Sequence, residues 1–210
     1  MSQALGDKQF FVTPAHDCSY LEERQATTVF LDPSERVSAR TYQILSENGF
    51  RRSGNYLYRP HCQTCQACMA TRVPVATFKP RRSQRRTARA NADLSVVIES
   101  ARFSQDHYAL YERYVSGRHG DGEMYPPSIE QYQTFLLGRW SNTLFLSSYL
   151  GDQLVAVAVT DRQPDGLSAI YTYFEPTLPR RSLGVHSILQ QIQLCRDWSL
   201  TYLYLGYWIQ

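Results

Sequence analysis

Residues 144–174, LFLSSYLGDQLVAVAVTDRQPDGLSAIYTYF, contain three apolar segments separated by two polar breaks. The breaks are Gly151-Asp152 and the loop DRQPDG, and the segments cover residues 144–150, 154–160 and 167–174. Apolar runs of this length, bounded by residues that favour turns, are typical of strands joined by tight connections. The stretch therefore predicts an antiparallel meander of three strands.

Regular elements are also predicted on both sides of the meander. After the loop TLPRRS, apolar residues recur on one stripe over about residues 183–198, which predicts a helix, and residues 202–209 predict a last strand. Two helices are predicted before the meander, and the second begins with a capping box of Ser128 and Gln131. Between these two helices lies GRHGDGEMYPP, which is too rich in Gly and Pro for regular structure.

Helices, a meander and then strand–loop–helix–strand is the element order of an N-acetyltransferase-like fold. We therefore predict an α/β (α+β) fold of this type for residues 101–210. Enzymes of that fold bind the pyrophosphate of acetyl-CoA on backbone N–H groups at the start of the helix, where small residues allow close approach. Their loop reads Gln or Arg, two residues, Gly, one residue, then Gly or Ala. Arg181 and Gly184 fit this pattern, but His186 replaces the last small residue, which argues against acetyl-CoA.

The first half, residues 1–100, is predicted to form a smaller domain. Asp32 is a favourable N-cap and Pro33 suits the first helical position, so a helix is predicted to begin there and to end at Gly49. The preceding residues, 10–31, are predicted to be irregular.

Two further elements are predicted in the first half. Residues 50–59 predict a hairpin that turns at Ser53-Gly54-Asn55 and leads directly into a cluster of cysteines. Residues 94–99 predict a strand, and we place the domain boundary near residue 100, before the helices of the second half begin.

Composition indicates a globular chain whose charge is unevenly placed. Of 210 residues, 43% are hydrophobic and 20% are charged, and the formal net charge is only +3. The N-terminal segment lacks the apolar region of a signal peptide, and the longest apolar run, residues 154–159, is too short to cross a bilayer. We therefore expect a cytoplasmic protein with no membrane partner, in which the five cysteines are reduced thiols or metal ligands.

The cysteines Cys62, Cys65 and Cys68 have the spacing C-x-x-C-x-x-C, and Cys18 could complete a set of four. Thiolates at such spacing are ligands for zinc or for an iron–sulfur cluster. The alternative is a group of reduced structural thiols without metal. The fifth cysteine, Cys195, lies on the apolar stripe of the last predicted helix and is expected in the core.

A basic run follows the cysteines. Because clustered charge makes a binding footprint, this run predicts contact with the phosphates of a nucleic acid, and such binding depends strongly on salt. The alternative is a solvated face without a partner. The six cations fall within eleven positions, with no acidic residue between them: Lys79, Arg81, Arg82, Arg85, Arg86 and Arg89.

Several segments together resemble the arginyl-tRNA–protein transferase family, and most closely its bacterial, leucine-transferring branch. The resemblance implies transfer of leucine from leucyl-tRNA to the α-amine of proteins that begin with Asp or Glu, which marks them for N-end rule degradation. It also implies that residues follow Gln210, because members of the family continue beyond the last segment. The segments are YRPHCQTCQAC, RVPVATFKPRRSQRR, AVTD, SAIYTYFEP, RRSLGVHSILQQI and YLYLGYWI.

The chemistry that the resemblance implies requires no cofactor. An aminoacyl ester is already activated, so the enzyme mainly positions the reactants, removes a proton and stabilises an oxyanion. Asp161 at a strand end and Glu175 after the meander are the carboxylates predicted to help, with Tyr171 and Tyr173 beside them, although either carboxylate could instead cap a turn. Arg118 is hypothesised to pair with the acidic side chain of the acceptor. The full set predicted to bind substrate is Arg118, His119, Arg181, Leu183, Gly184, Tyr207 and Trp208.

Two other functions remain open from the sequence. One is an acetyl-CoA-dependent N-acetyltransferase, which the loop with His186 disfavours. The other is a zinc-ribbon-like RNA-binding protein, which leaves the tyrosine-rich second half without a role. For the predicted site residues, the alternatives are that the strand aromatics belong to the core and that Arg118 and His119 are ordinary surface residues.

Overall fold

The computed structural model describes residues 8–122 and 124–210, which form twelve strands and five α-helices in the described ranges. The helices are α1 (Ala39–Glu47), α2 (Arg82–Ala90), α3 (Gln105–Arg118), α4 (Ile129–Leu136) and α5 (Leu183–Asp197). The strands are β1 (Phe10–Val12), β2 (His16–Asp17), β3 (Gln25–Ala26), β4 (Thr28–Leu31), β5 (Arg51–Ser53), β6 (Tyr56–Pro60), β7 (Cys68–Pro74), β8 (Leu94–Ser100), β9 (Thr143–Leu150), β10 (Gln153–Arg162), β11 (Gly166–Phe174) and β12 (Tyr202–Ile209). None of these helices is long and apolar enough to cross a membrane.

A six-stranded sheet of order β7-β12-β11-β10-β9-β8 carries the larger part of the core. The predicted meander is confirmed as β9, β10 and β11, which pair antiparallel, whereas β12 pairs with β11 in parallel. One face packs against α5 through Ile192 and Cys195, and the other against α3 and α4 through Tyr111 and Tyr132. This arrangement confirms the predicted mixed α/β fold, with an N-acetyltransferase-like order of elements in the second half.

The helices of the second half begin where local chemistry predicts. The Ser128 hydroxyl accepts a hydrogen bond from the Gln131 N–H at 3.1 Å, which satisfies one of the free donors at the start of α4. On α3, Tyr108 and Tyr111 face the core, and Tyr114 is half-buried. The predicted apolar stripe of α5 is buried at Ile192 and Cys195 and half-buried at Ile188 and Leu189, but Val185 at its start is exposed.

A four-stranded sheet of order β1-β4-β6-β5 packs with α1 in the first half. The hairpin of β5 and β6 is confirmed, with its turn at Gly54-Asn55. The prediction of an irregular segment over residues 10–31 was wrong, because it contains four short strands. Each is only two to four residues long, too short to show a periodic pattern.

The predicted helix start at Asp32 was also wrong. The Asp32 carboxylate accepts from the Ser34 N–H at 2.7 Å and so closes a local turn. The helix begins at Ala39, and the Ser38 hydroxyl caps it by accepting from the Thr41 N–H at 3.0 Å. Both residues are good caps in sequence, and only the path of the chain after β4 decides between them.

Strands from both sides of residue 100 share the six-stranded sheet. The edge strands β7 and β8 come from the first half, and β7 pairs antiparallel with β12, the last strand of the chain. The predicted division into residues 1–100 and 101–210 therefore runs through one continuous sheet. The small sheet is also joined to the large one by a buried ion pair of Arg52 with Asp161.

Candidate active site and polyanion surface

The parallel strands β11 and β12 separate and leave a cleft in the large sheet. They are paired only over Gly166–Ser168 and Tyr202–Tyr204. Beyond these residues β11 continues beside β10 and β12 beside β7. Ile170 is an extra residue in β11, and Leu205 is an extra residue in β12, so both strands bulge just after they part. Such bulges bend a strand, which directs the two strands away from each other.

Arg51 lies where the two strands part. Its guanidinium donates to the Ser168 hydroxyl at 3.0 Å, to the Tyr204 carbonyl at 3.4 Å and to the Ala169 carbonyl. Gly206 makes room for it, because a Cβ there would lie 3.3 Å from Arg51 Nε, and its backbone has a φ of +99°. An arginine from the small sheet thus satisfies backbone carbonyls that the separation of β11 and β12 exposes.

Aromatic side chains line β11 on the α3 and α4 side. The Tyr171 hydroxyl donates to Met124 Sδ at 3.5 Å, and its ring packs edge-on against Phe135 and Tyr114. Tyr173 is fully buried and its hydroxyl is 3.0 Å from that of Tyr132. Burial raises the pKa of both Tyr171 and Tyr173, so both hydroxyls stay protonated at neutral pH.

The basic run folds into α2, on which the arginines form one stripe. None of the residues of α2 is buried. Positions i, i+3, i+4 and i+7 share a helix face. Arg82, Arg85, Arg86 and Arg89 occupy these positions and line one groove, whereas Arg81 precedes the helix. No ion pair with them forms within residues 8–122 and 124–210. The stripe is therefore a concentrated, uncompensated cationic surface.

The four cysteines of the predicted metal site line one cavity of about 340 Å³, next to the end of β12. All four are half-buried free thiols. Burial, and after it the neighbouring thiols of Cys18, Cys62 and Cys65, raise the pKa of Cys68. In the part of the chain that the structure describes, however, no three His, Cys, Asp or Glu side chains are grouped so as to hold a metal ion. The donors are chemically suitable, but as they lie they do not form a metal site.

Comparison with known proteins assigns the chain to a family. A family profile described as "Arginine-tRNA-protein transferase, N terminus" matches residues 16–86, and its counterpart "Arginine-tRNA-protein transferase, C terminus" matches residues 106–210. The chain belongs to this transferase family. The aspartate/glutamate leucyltransferase of Alcanivorax borkumensis is 56% identical over 98% of this chain and 85% of the relative. That of Hahella chejuensis is 53% identical over 96% and 86%.

Among solved structures, the L-PGS of Bacillus licheniformis superposes with a TM-score of 0.49 at 14% identity, over 97% of this chain and 69% of that chain. The fold assignment rests on the order and pairing of the strands described above. The resemblance drawn from the sequence motifs is thus confirmed for the family and for its leucine-transferring branch.

Asp161 lies in a buried network of hydrogen bonds in which both of its carboxylate oxygens have partners. It is fully buried, and its carboxylate accepts from Arg52 Nε at 2.5 Å and Nη2 at 3.0 Å, from the Tyr42 hydroxyl at 2.8 Å and from the Thr143 hydroxyl at 2.7 Å. A carboxylate with both oxygens occupied and no exposed surface stabilises the junction of the two sheets. Its surroundings give the predicted catalytic role of Asp161 no support.

Glu175 directly follows β11, at the open end of the cleft. Its carboxylate accepts from the Thr177 N–H and hydroxyl at 3.2 and 2.9 Å and from Arg113 Nε at 3.0 Å. Burial by itself would raise the pKa of Glu175, but the hydrogen bonds from Thr177 and Arg113 outweigh it and the pKa is lowered. Glu175 is therefore ionised at neutral pH, as an acceptor of a proton or a partner of an ammonium group must be.

Arg118 and His119 lie at the end of α3, near the end of β11. The Arg118 guanidinium is exposed and lies 5.6 Å from the centre of the Phe174 ring, and His119 packs edge-on against Tyr114. Tyr207 and Trp208 lie on β12. The Tyr207 hydroxyl donates to the Gly49 carbonyl at 2.6 Å, which ties β12 to the small sheet, whereas Trp208 is 58% exposed.

The loop before α5 is already occupied by protein contacts. Arg181 forms a bidentate pair with Asp93, with both N–O distances 2.8 Å, and Leu183 is buried. His186 is 2% exposed, and in the described residues neither of its ring nitrogens has a hydrogen-bond partner. Gly184 faces Phe174 at ordinary contact distance. The charge of Arg181 is thus paired with Asp93 at the surface, while Gly184 stays near the end of β11.

Sequence reasoning missed the residues at the point where the strands part. Arg51 and Arg52 are adjacent in the hairpin motif FRRSG, and their side chains point to opposite partners, as expected for neighbours on a strand. The sequence offered one signal, since the predicted hairpin that carries these two consecutive arginines, residues 50–59, contains no Asp or Glu. Nothing in the sequence indicated that both would contact strands more than 100 positions away.

Proposed function

We infer that this chain transfers leucine from leucyl-tRNA to the α-amine of proteins that begin with Asp or Glu. Family membership gives the enzyme class, and relatives at 50–56% identity are named aspartate/glutamate leucyltransferase. The observation that supports the reaction most directly is the cleft between β11 and β12, because a separated parallel pair exposes backbone donors and acceptors to an extended ligand.

The reaction needs two partners brought together more than it needs a strong catalyst. An α-amine has a pKa of about 7.7–8.0, so roughly a tenth of it is neutral and nucleophilic at pH 7. We propose that the aminoacyl ester enters the cleft and that the neutral amine attacks its carbonyl carbon, which releases the ester oxygen of the tRNA. The amine proton would pass by way of the ionised Glu175 carboxylate to that leaving oxygen. Tyr171 and Tyr173 remain protonated, so neither acts as a base. The half-buried Tyr171 is proposed as a wall of the cleft, whereas Tyr173 is fully buried and its hydroxyl already bonds that of Tyr132.

The arginine stripe of α2 is proposed to bind the phosphates of the tRNA, with Lys79 and Arg81 extending it. Asn91 and Arg181 connect the end of α2 to the loop before α5, through a hydrogen bond from Asn91 Nδ2 to the Arg181 carbonyl at 2.8 Å. A tRNA held on α2 would therefore lie on the side of the sheet that carries α5. This leaves the α3 and α4 side for the acceptor, where Arg118 and His119 are proposed contacts. Tyr207 and Trp208 are also proposed to bind substrate, but as neighbours on β12 their side chains point to opposite faces of the sheet.

No cofactor takes part in this chemistry. Zinc or an iron–sulfur cluster at Cys18, Cys62, Cys65 and Cys68 stays a prediction, and binding would have to draw the four thiols together. We also propose that the product is a signal for N-end rule degradation. A cytoplasmic location follows from the proposed substrates, since charged tRNA is consumed where proteins are synthesised.

Transfer of radiolabelled leucine tests the function. Purified protein is incubated with leucyl-tRNA and a peptide that begins with Asp, and labelled peptide is expected. The same peptide with an acetylated α-amine is the control and should remain unlabelled. Labelling from acetyl-CoA in place of leucyl-tRNA would support the N-acetyltransferase alternative, and RNA binding without any transfer would support a binding protein.

A further inference from the structure

A small cavity adjoins the point where β11 and β12 part. Its volume is about 150 Å³, and it lies between the end of α1, the start of β5 and the strands β7 and β12. Tyr204, the last residue of β12 that pairs with β11, is part of its lining, as is Gly206. Water occupies about 30 Å³ per molecule in the liquid, so the cavity is large enough for one short side chain. It thus lies beside the cleft and has the size of a subsite for a single residue.

Two arginines line this cavity without a carboxylate partner. Arg51 and Arg72 both line it, and neither forms an ion pair in residues 8–122 or 124–210. The one carboxylate in the lining is that of Glu47, which is exposed and accepts from Gln43 Nε2 at 2.9 Å. Two guanidinium groups and one carboxylate leave the lining with one net positive charge.

Both guanidinium groups are held so that N–H donors remain free. The Arg72 guanidinium carbon lies 3.9 Å from the centre of the Tyr202 ring, and stacking engages its face but not the N–H groups at its edge. Arg51 uses donors on the Ser168 hydroxyl and the carbonyls of β11 and β12, but a guanidinium has five. A carboxylate in the cavity would meet charged donors already fixed in place.

We propose that this cavity binds the side-chain carboxylate of the first residue of the acceptor protein, through Arg72 and Arg51. The inference rests on the proposed function, because it assigns the feature that distinguishes Asp and Glu acceptors from others. The position offers two guanidinium groups at one cavity, whereas Arg118 would meet a carboxylate alone and in open solvent, where such pairs are weak. Arg72 is exposed, as Arg118 is, but Arg51 beside it is half-buried. A carboxylate that also pairs with Arg51 is screened less and requires less ordering, because Arg51 is half-buried and already fixed by its hydrogen bonds.

Kinetics with two peptides test this assignment. The peptides differ only in beginning with Asp or with Asn, and leucyl-tRNA is held at saturating concentration. Arg72→Met is expected to raise KM for the Asp peptide about tenfold, with kcat and the affinity for leucyl-tRNA within twofold of the parent protein. Any activity on the Asn peptide should not change, because an amide does not require the charge.

Arg162→Met is the matched control. Arg162 is also an exposed strand arginine stacked on an aromatic ring, with its guanidinium 4.7 Å from the Trp198 ring, but it lies outside the cavity. It should leave KM unchanged. Arg51→Lys is the second variant, which keeps the positive charge but loses the planar set of guanidinium N–H donors. It is also expected to raise KM for the Asp peptide above that of the parent protein.

Three outcomes would overturn the assignment. They are an unchanged KM in both Arg72→Met and Arg51→Lys, an equal loss on the Asp and Asn peptides, or a rise in KM for Arg118→Ala but not for Arg72→Met. Failure of the proposed function is a different result, since the unaltered protein would then transfer no leucine to either peptide.

Discussion

Arg52 and the arginines of α2 show one residue type in two opposite surroundings. The Arg52 side chain is fully buried and paired with Asp161, which joins the two sheets. On α2, Arg82, Arg85, Arg86 and Arg89 are exposed and have no ion-pair partner within the described ranges. The contrast teaches that burial and pairing, and not residue type, separate an arginine that maintains the fold from arginines that are available to a ligand.

Breaking the buried pair should have the largest effect. Arg52→Met leaves the carboxylate of Asp161 buried without its cation, and removing one partner of such a pair costs about 3–5 kcal/mol of unfolding free energy. Calorimetric unfolding should show a Tm lower by roughly 10 °C, given about 2–4 °C per kcal/mol at this chain length. Combining Arg52→Met with Asp161→Leu should restore much of the loss, because no charge is then stranded. If Arg52→Met alone were as stable as the parent protein, Arg52 would not be required to maintain the fold.

Neutralising the stripe should change binding and leave stability nearly unaltered. Changing Arg82, Arg85, Arg86 and Arg89 to Ala removes up to about four phosphate contacts, so the slope of log affinity for tRNA against log salt should fall by roughly three. Folding should be retained, since exposed charges contribute little to the free energy of unfolding. The measurement is tRNA binding between low and moderate salt, together with the Tm.

The matched control for the stripe removes the same charge elsewhere. Arg36, Arg40, Arg102 and Arg139 are exposed and lie outside α2. Their joint change to Ala should alter the salt slope much less. Equal effects of the two quadruple variants would mean that net charge, and not the stripe, attracts the tRNA.

His186 extends the comparison to a buried side chain whose ring nitrogens have no hydrogen-bond partner in the part of the chain that the structure describes. Burial and the nearby Arg181 lower the pKa of His186, with Asp93 opposing them. Below the unfolded value of about 6.5 the unfolded chain takes up a proton that the folded chain refuses, so stability falls as pH drops from there towards the lowered pKa. The slope is at most about 1.4 kcal/mol per pH unit for this residue.

His186→Leu should remove this share of the acid sensitivity and leave the Tm at pH 8 unchanged or higher, since an apolar side chain leaves no unsatisfied nitrogen. His107, whose pKa burial also lowers, should keep part of the slope in the variant. Thermal unfolding between pH 8 and pH 5.5 measures the difference. Identical pH profiles of the two proteins would show that His186 is not held neutral by its surroundings.

Local sequence patterns predicted the elements whose partners are close in the chain. The meander, the hairpin, α4 with its cap at Ser128 and the helix α5 all follow from the spacing of apolar residues and from turn or cap chemistry. These signals act within a few residues, so they survive whatever the rest of the chain does. The start of α1 was misplaced because Asp32 and Ser38 offer equivalent local chemistry.

Contacts with distant residues decided which predicted site residues are free to bind a substrate and which are already paired within the fold. Asp161 became part of a buried network because Arg52, from a hairpin 109 positions earlier, reaches it. Arg181 is paired with Asp93, 88 positions away, and is not free for a phosphate. The basic run was recognisable from composition, but its stripe required the helix period, which a run of cations does not display.

The sequence alone determined the family, the order of elements in the second half and the presence of a cationic segment, because each is written in motifs or periods of neighbouring residues. Tertiary structure alone decided that β7 completes the sheet beside β12, that the parallel strands part after Ser168 and Tyr204, and that Arg51 lies at that point. The physical reason is that a strand edge or a guanidinium can be satisfied by many partners. Which of them it meets depends on how distant segments pack together, and not on the residues beside it in the chain.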